Sequence, residues 1–495
     1  MPLVPVDPPP GLFRNGTLYE AKGRWADGNL VRFSEGTVRP VGGWMIRATA
    51  NGGVSSPASG VPRAILPWRD NSSNRSIGIG THTHLYRMNE AGSLLDITPT
   101  GFTVGDANAS VRTGYGAGPY GMYAYGTPRP DNGVYFEATF WTLDTWGEHL
   151  VGVQSKDGRI WIWEGSGLAT QLLNAPTACR AVIVTEERFM MALGASSNPR
   201  LVQWSDFQEN EVWTPTALNQ AGAEELQTPG QLMCGARVGG VVLILSDVDA
   251  HVARYVGYPG VYEFQRVGTA CGAISQGAVA VIDQTAVWMG RDSFHLYNGG
   301  TVRLDCSVAD YVFGRLNDQQ RSKVSAFALA SHSEVWWMYP SDDGLECDSY
   351  VAWNYRENHW TTGSLSRTCG AGRGTFANVL MMDPQGYVYE HEYGFSYGGA
   401  VPFVETGPIE LGEGDRHMQV NKVIPDQTDG SLQLVITSSE YPTGPEAVSP
   451  TYTLTNPTSV RASGRSARLR FTSASSADWR LGKTRLEVRP RGRRV

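Results

Sequence analysis

Residues 271–305, CGAISQGAVAVIDQTAVWMGRDSFHLYNGGTVRLD, break into four short apolar or alternating runs separated by turns. The runs are Gly277–Ile282, Ala286–Met289, Ser293–Tyr297 and Thr301–Leu304. Asp283-Gln284-Thr285, Gly290-Arg291-Asp292 and Asn298-Gly299-Gly300 punctuate them. Asn-Gly and Gly-Gly supply the positive φ that tight hairpins need, so this stretch predicts a four-stranded antiparallel meander. One such meander cannot bury both of its faces and is marginal alone. It needs copies of itself to pack against.

Degenerate copies lie on both sides. Cys-Gly-Ala recurs at Cys234, Cys271 and Cys369, while Cys179-Arg180-Ala181 and Val324-Ser325-Ala326 hold the corresponding place in two further units. Arg63-Ala64-Ile65 resembles Arg180-Ala181-Val182, and another unit fits from Ala138 to Leu173. A repeat of about 40–50 residues with four strands each is the pattern of propeller blades. The expected fold is all-β: a β-propeller of about six or seven blades plus a β-sandwich-like domain built from the N- and C-terminal segments. The expected boundaries are 1–61 for an N-terminal arm and hairpins packing with the C-terminal domain, and 62–400 for the propeller. A Gly/Tyr-rich insertion occupies 101–133, and residues 401–495 form a C-terminal β domain with a basic tail. The one helix-like spacing is Ser307–Arg321, where Val308, Tyr311, Val312 and Leu316 share a face.

Composition agrees with all-β: 58 Gly, 15 Trp and 21 Tyr among 495 residues, with 18% charged. No apolar run approaches the length of a membrane-spanning helix. The opening MPLVPVDPPP lacks the charged and apolar regions of a signal peptide, so none is expected. Six dispersed cysteines fit reduced, buried thiols better than a disulfide framework. The net charge of −7 is unevenly placed: residues 456–495 carry +9 and the rest −16. An acidic body disfavours tight nucleic-acid binding, and a basic tail suits an acidic partner.

Motifs of catalysis are not found. The chain contains no P-loop, H-E-x-x-H or C-x-x-C, and its one G-x-S-x-G, GFSYG at 394–398, is not followed by the helix-forming run that a nucleophile elbow needs. His82 and His84 share a strand face without a nearby third ligand, and the acidic turns Asp247–Asp249 and Asp342-Asp343 lack the spaced oxygens of a calcium loop. Ser155–Trp161, SKDGRIW, approximates the Asp-box of propeller sialidases but is one residue short, lacks the Thr and is not repeated. No cofactor, metal or enzymatic activity is therefore expected. Candidate subunit-interface residues are Tyr115, Tyr120, Tyr123 and Tyr125 of the insertion, because Tyr buries much area behind a polar tip. Arg468, Arg470, Trp479 and Arg489 of the basic segment join them.

Several stretches together resemble the tail nozzle proteins of short-tailed bacteriophages, also called tail hub or packaged-DNA stabilisation proteins. They are RNGTLYEAKGRWADGNLVRFSEGTVRPVGGW at 14–44, GTHTHLYRMNEAGSLLDITP at 80–99, and GYGAGPYGMYAYGTPR at 114–129 followed by FWTLDTWGEHLVG. VQWSDFQENEVWTPTALNQAG, GRDSFHLYNGG and GRSARLRFTSASSADWRLGKTRLEV complete the set, so the likeness runs over nearly the whole chain. The resemblance implies a structural virion protein in a hexameric tube below the portal and adaptor, assembled in the host bacterial cytoplasm. Implied partners are further copies of the chain, the head-to-tail adaptor ring, tail fibres or spikes and a tail needle or plug. Double-stranded DNA would pass through the lumen without specific binding, retained and then ejected, and the acidic surplus is expected to line that lumen. The alternative is a carbohydrate-binding or glycan-cleaving propeller.

Overall fold

The computed structural model describes residues 3–112, 134–411 and 414–491. Seven four-stranded antiparallel sheets follow one another along the chain, each a blade. Blade one spans Pro62–Arg69 to Leu94–Asp96, blade two Trp141–Trp146 to Thr170–Gln171, and blade three Ala181–Val184 to Gly222–Glu225. Blade four runs from Leu232–Val238 to Val261–Gly268, blade five from Val279–Ile282 to Thr301–Leu304, and blade six from Ser325–Leu329 to His359–Ser364. Blade seven contributes Cys369–Ala371, Val379–Met382 and Val388–His391. The first strand of each blade packs against the first strand of the next, and Cys369–Ala371 packs against Pro62–Arg69 to close the ring.

Blade five is formed by the meander within residues 271–305. Its strands, Val279–Ile282, Thr285–Met289, Phe294–Tyr297 and Thr301–Leu304, fall where the turns predict. Gly299 has φ +103°, the left-handed backbone that its hairpin demands. The second strand is buried on both faces because other blades flank it, and Trp288 is fully enclosed, donating from Nε1 to the Cys271 carbonyl at 2.7 Å.

Three expectations need correction. The propeller is not confined to 62–400: its seventh blade is completed by Trp44–Ile46, which pairs with Val388–His391. A strand from before the first blade thereby ties the ring shut. Arg367 reinforces the tie, lying 3.9 Å from the Tyr389 ring and 5.2 Å from the Trp44 ring, while Trp44 stacks on His391. Secondly, Cys-Gly-Ala is not one structural position. Cys234 and Cys369 lie in innermost strands, but Cys271 precedes its strand and crosses a turn of blade four. There the Cys271 and Ala273 amides donate to the Val248 and Ser246 carbonyls, and a Cβ on Gly272 would stand 2.1 Å from the Asp247 carbonyl carbon. Thirdly, the Ser307–Arg321 helix is two pieces, an α-helix Ala309–Gly314 and a 3₁₀ helix Asp318–Lys323. Asn317 divides them because its side chain accepts from the Gln319 and Gln320 amides and so caps the second. The polar stretch 210–229 also contributes a strand, Gly222–Glu225, the outer edge of blade three.

The two chain ends build three further sheets. One orders Leu3–Val6, Thr484–Arg491, His417–Ile424 and Thr458–Gly464. A larger one runs Trp25–Asn29, Phe403–Thr406, Ser466–Ser473, Leu432–Ser439 and Glu446–Val448. Val31–Ser34, Thr37–Pro40, Arg480–Leu481 and Gln427–Thr428 form a third. In Leu432–Ser439, Leu432, Leu434 and Ile436 point inward and alternate with polar or half-exposed positions, the period of a one-sided strand. These residues share one apolar core with Val420, Leu486 and Phe471 and, across the boundary, with Phe294, Trp337 and Trp360 of blades five and six. The terminal domain is thus fused to the propeller by packing as well as by chain.

Candidate assembly and ligand surfaces

Arg468 and Arg470 alternate along Ser466–Ser473 and point to one face, where both meet Glu405. Arg468 lies 2.9 Å from Glu405 and 2.6 Å from Glu446, and the Arg470 guanidinium sits 3.6 Å from the Phe403 ring centre. Burial pushes the Glu405 carboxyl above the usual carboxylate range, and the two arginines offset this only in part. This row lines a groove of about 620 Å³ together with Arg14, Leu18 and Tyr311. Arg489 is exposed on Thr484–Arg491, across from Gln419.

Trp479 is not an interface residue of the folded chain. It is fully buried and belongs to the core shared with the propeller. Tyr115, Tyr120, Tyr123 and Tyr125 lie outside the described residues. The segment holding them is flanked by a short hairpin pairing Ser110–Arg112 with Val134–Phe136.

The residues weighed for catalysis serve turns. The Asp157 side chain is wholly enclosed, accepting from Trp161 Nε1 at 2.8 Å, from the Thr103 amide at 3.0 Å and from Arg159. Burial alone would raise its pKa, but these donors outweigh it and hold the carboxylate below its usual range. His82 Nδ1 accepts from the Val61 amide, and His84 meets the Thr83 hydroxyl. Among the described residues no three His, Cys, Asp or Glu side chains gather as metal ligands, and no helix is long and apolar enough to cross a membrane.

The innermost strands of all seven blades enclose an axial cavity of about 500 Å³. Asp144 of blade two and Arg237 of blade four bridge over blade three there at 2.8 Å, and the Val184 amide also donates to Asp144. Arg63, at the same cavity, pairs with Glu346 at 2.6 Å, and Glu346 also receives Lys323 at 2.8 Å.

Sequence reading missed one surface. Leu218 is 98% exposed in the connection before Gly222–Glu225, beside Val256 and Tyr258 at the hairpin tip of blade four, 52% and 66% exposed. Tyr258 Oη donates to the Ala217 carbonyl at 3.4 Å and holds the two tips together. The available signal was a leucine inside a polar stretch. It also missed Arg32, whose partners come from blades six and seven.

No protein-family profile matches the chain, and no curated protein matches it. Among solved structures it is similar to selenomethionine-substituted virginiamycin B lyase from Staphylococcus aureus, at 8% identity and TM-score 0.44, over 70% of this chain and 98% of that one. It is similar also to a streptogramin B lyase, at 10% identity and TM-score 0.43, over 68% and 95% of the two chains. The WD40 domain of Neurospora crassa Pan2 gives 7% identity and TM-score 0.39 over 67% and 89%. The likeness is one of fold alone.

Proposed function

We propose that this chain is a structural virion protein, a subunit of a hexameric tail nozzle of a short-tailed bacteriophage. Attached below the portal and adaptor, the nozzle retains the packaged genome and conducts it during ejection. The observation that carries the reading is the bare apolar tip of Leu218, Val256 and Tyr258, which a chain acting alone would gain nothing by exposing. The tail-nozzle resemblance of the sequence supplies the identity of the assembly. The axial cavity has the volume of a cube about 8 Å on a side, whereas the major groove alone of B-form DNA is about 12 Å wide. A duplex therefore runs between copies, not through a propeller. Closed rings join two different surfaces of each copy, and the tip is one of them. The lumen is acidic, because each phosphate neutralised by a basic wall would add a counterion-release term and hold the DNA back.

The test is the oligomeric state of the purified chain, alone and with an adaptor ring, by light scattering and negative-stain imaging. Rings with an open centre are expected, and Leu218→Asp should abolish them without moving the melting temperature. A chain that stays monomeric with the adaptor present, or that hydrolyses glycans, overturns the reading. A glycan-binding role is the second reading, favoured by the size of the axial cavity. Its carboxylate Asp144 is committed to Arg237 and the Val184 amide, whereas glycoside cleavage needs a free carboxylate pair.

A further inference from the structure

A second cavity, of about 530 Å³, opens where the hairpin containing Thr37–Pro40 meets blades six and seven. Arg39 comes from the hairpin, His332 from the 3₁₀ turn Ala330–His332 of blade six, and Arg373 from the loop of blade seven between Cys369–Ala371 and Val379–Met382. Glu392 lies in its wall but is already engaged. It accepts two bonds from Arg32, at 2.9 and 2.7 Å, one from the Gly42 amide at 3.0 Å, and lies 3.4 Å from His332 Nε2. Arg32 divides itself between Glu392 and Glu334. The two carboxylates thus leave one negative charge beyond Arg32, and Arg39 and Arg373 bring two positive charges. Neither of these two arginines meets a carboxylate among the described residues, and Arg39 Nε is buried without a hydrogen-bond partner. A cationic donor without an acceptor inside a recess is costly unless something fills it.

We propose that this cavity binds a small oxyanion, a carboxylate- or phosphate-bearing molecule held by the guanidinium forks of Arg39 and Arg373, with His332 at its side. Planar guanidinium groups match both oxyanions through paired hydrogen bonds. One anionic group restores neutrality, and the remaining volume leaves room for a compact organic body. The site stands apart from the assembly reading: it uses neither the exposed tip nor the axial cavity, and it exists in a single copy of the chain. It also bridges the hairpin and the last two blades, so an occupant would tighten the ring closure.

The experiment is titration calorimetry on the full chain with inorganic phosphate and, separately, with succinate, across the millimolar range at constant ionic strength. Saturable binding of at least one is expected, with an affinity loss of about tenfold or more in Arg39→Gln and in Arg373→Gln. Binding of phosphate alone identifies a phosphoryl ligand, and binding of succinate alone a carboxylate. Both variants should melt close to the parent when no anion is present, because neither side chain makes an ion pair or hydrogen bond among the described residues. Thermal melts with and without the anion give a second readout, since a ligand of the folded chain raises the melting temperature. Absence of saturable heat from either anion, or equal binding by the parent and both variants, overturns the proposal.

Discussion

Arg32→Met is the sharpest probe of how the ring is held shut. Arg32 is 3% exposed and joins three parts of the chain. It leaves Val31–Ser34 and donates to Glu334 of blade six through Nε and Nη2, each at 3.1 Å, and to Glu392 after blade seven at 2.9 and 2.7 Å. Removing it leaves two largely buried carboxylates without their shared cation, retaining the Trp336 indole, His332 and the Gly42 amide. Breaking a buried pair from one side costs about 3–5 kcal/mol, because the abandoned charge stays behind. The cost should depend on pH. Burial alone would raise the Glu392 pKa, but Arg32 and His332 overcome it and hold the carboxyl well below the usual range. In the parent this contribution is present above the unfolded value of about 4.3 and is lost as pH falls through the folded one. In Arg32→Met the stabilising partner is gone, and the buried carboxylates take up protons more readily. The gap between parent and variant should therefore narrow as the pH is lowered. Denaturant unfolding from pH 7.5 to about 4.5 reads it. Arg32→Met/Glu334→Gln/Glu392→Gln should recover most of the loss. A single variant within about 1 kcal/mol of the parent, or a triple variant no better than the single, refutes the assignment of Arg32 as the lock.

Trp288→Ala and Trp336→Ala should each cost about 3–5 kcal/mol by core truncation, read by denaturant midpoints. Both side chains are buried between blades. Burial lowers the pKa of His82, His251, His295, His359 and His391, the last furthest. These groups take up protons less readily in the folded chain than in the unfolded one, so stability is full above the unfolded value near 6.5 and falls as pH drops below it. Melting temperatures between pH 8 and 5 should show that decline, and a flat profile would contradict it. Asp157→Ala removes the acceptor of the Trp161 indole and the Thr103 amide, and should cost about 1–3 kcal/mol through unsatisfied donors. Any catalytic reading of Asp157 predicts instead a loss of hydrolysis at unchanged stability. Truncation after Ser463 should unfold the terminal domain, because it removes Ser466–Ser473 from the centre of a sheet and takes Phe471 from the core shared with blades five and six, and loss of the cooperative melt checks it.

The chain by itself determined its local grammar. Period-two alternation and turn residues place the four strands of blade five nearly to the residue, because strand and hairpin preferences act over a few neighbours. The Arg468–Arg470 row was legible for the same reason, since alternation assigns residues two apart to one face. What only the tertiary structure decided are the contacts between distant residues. Trp44–Ile46 finishing the seventh blade, Arg32 reaching Glu334 and Glu392, and Arg39 and Arg373 lining one cavity bring together residues hundreds of positions apart, and no periodicity encodes such a meeting. Trp479 makes the same point from the other side. Its basic, polar neighbourhood in sequence suggests a surface, yet it is enclosed in the core that the two chain ends build together. Burial is a property of the folded neighbourhood, and a sequence window sees only its own residues.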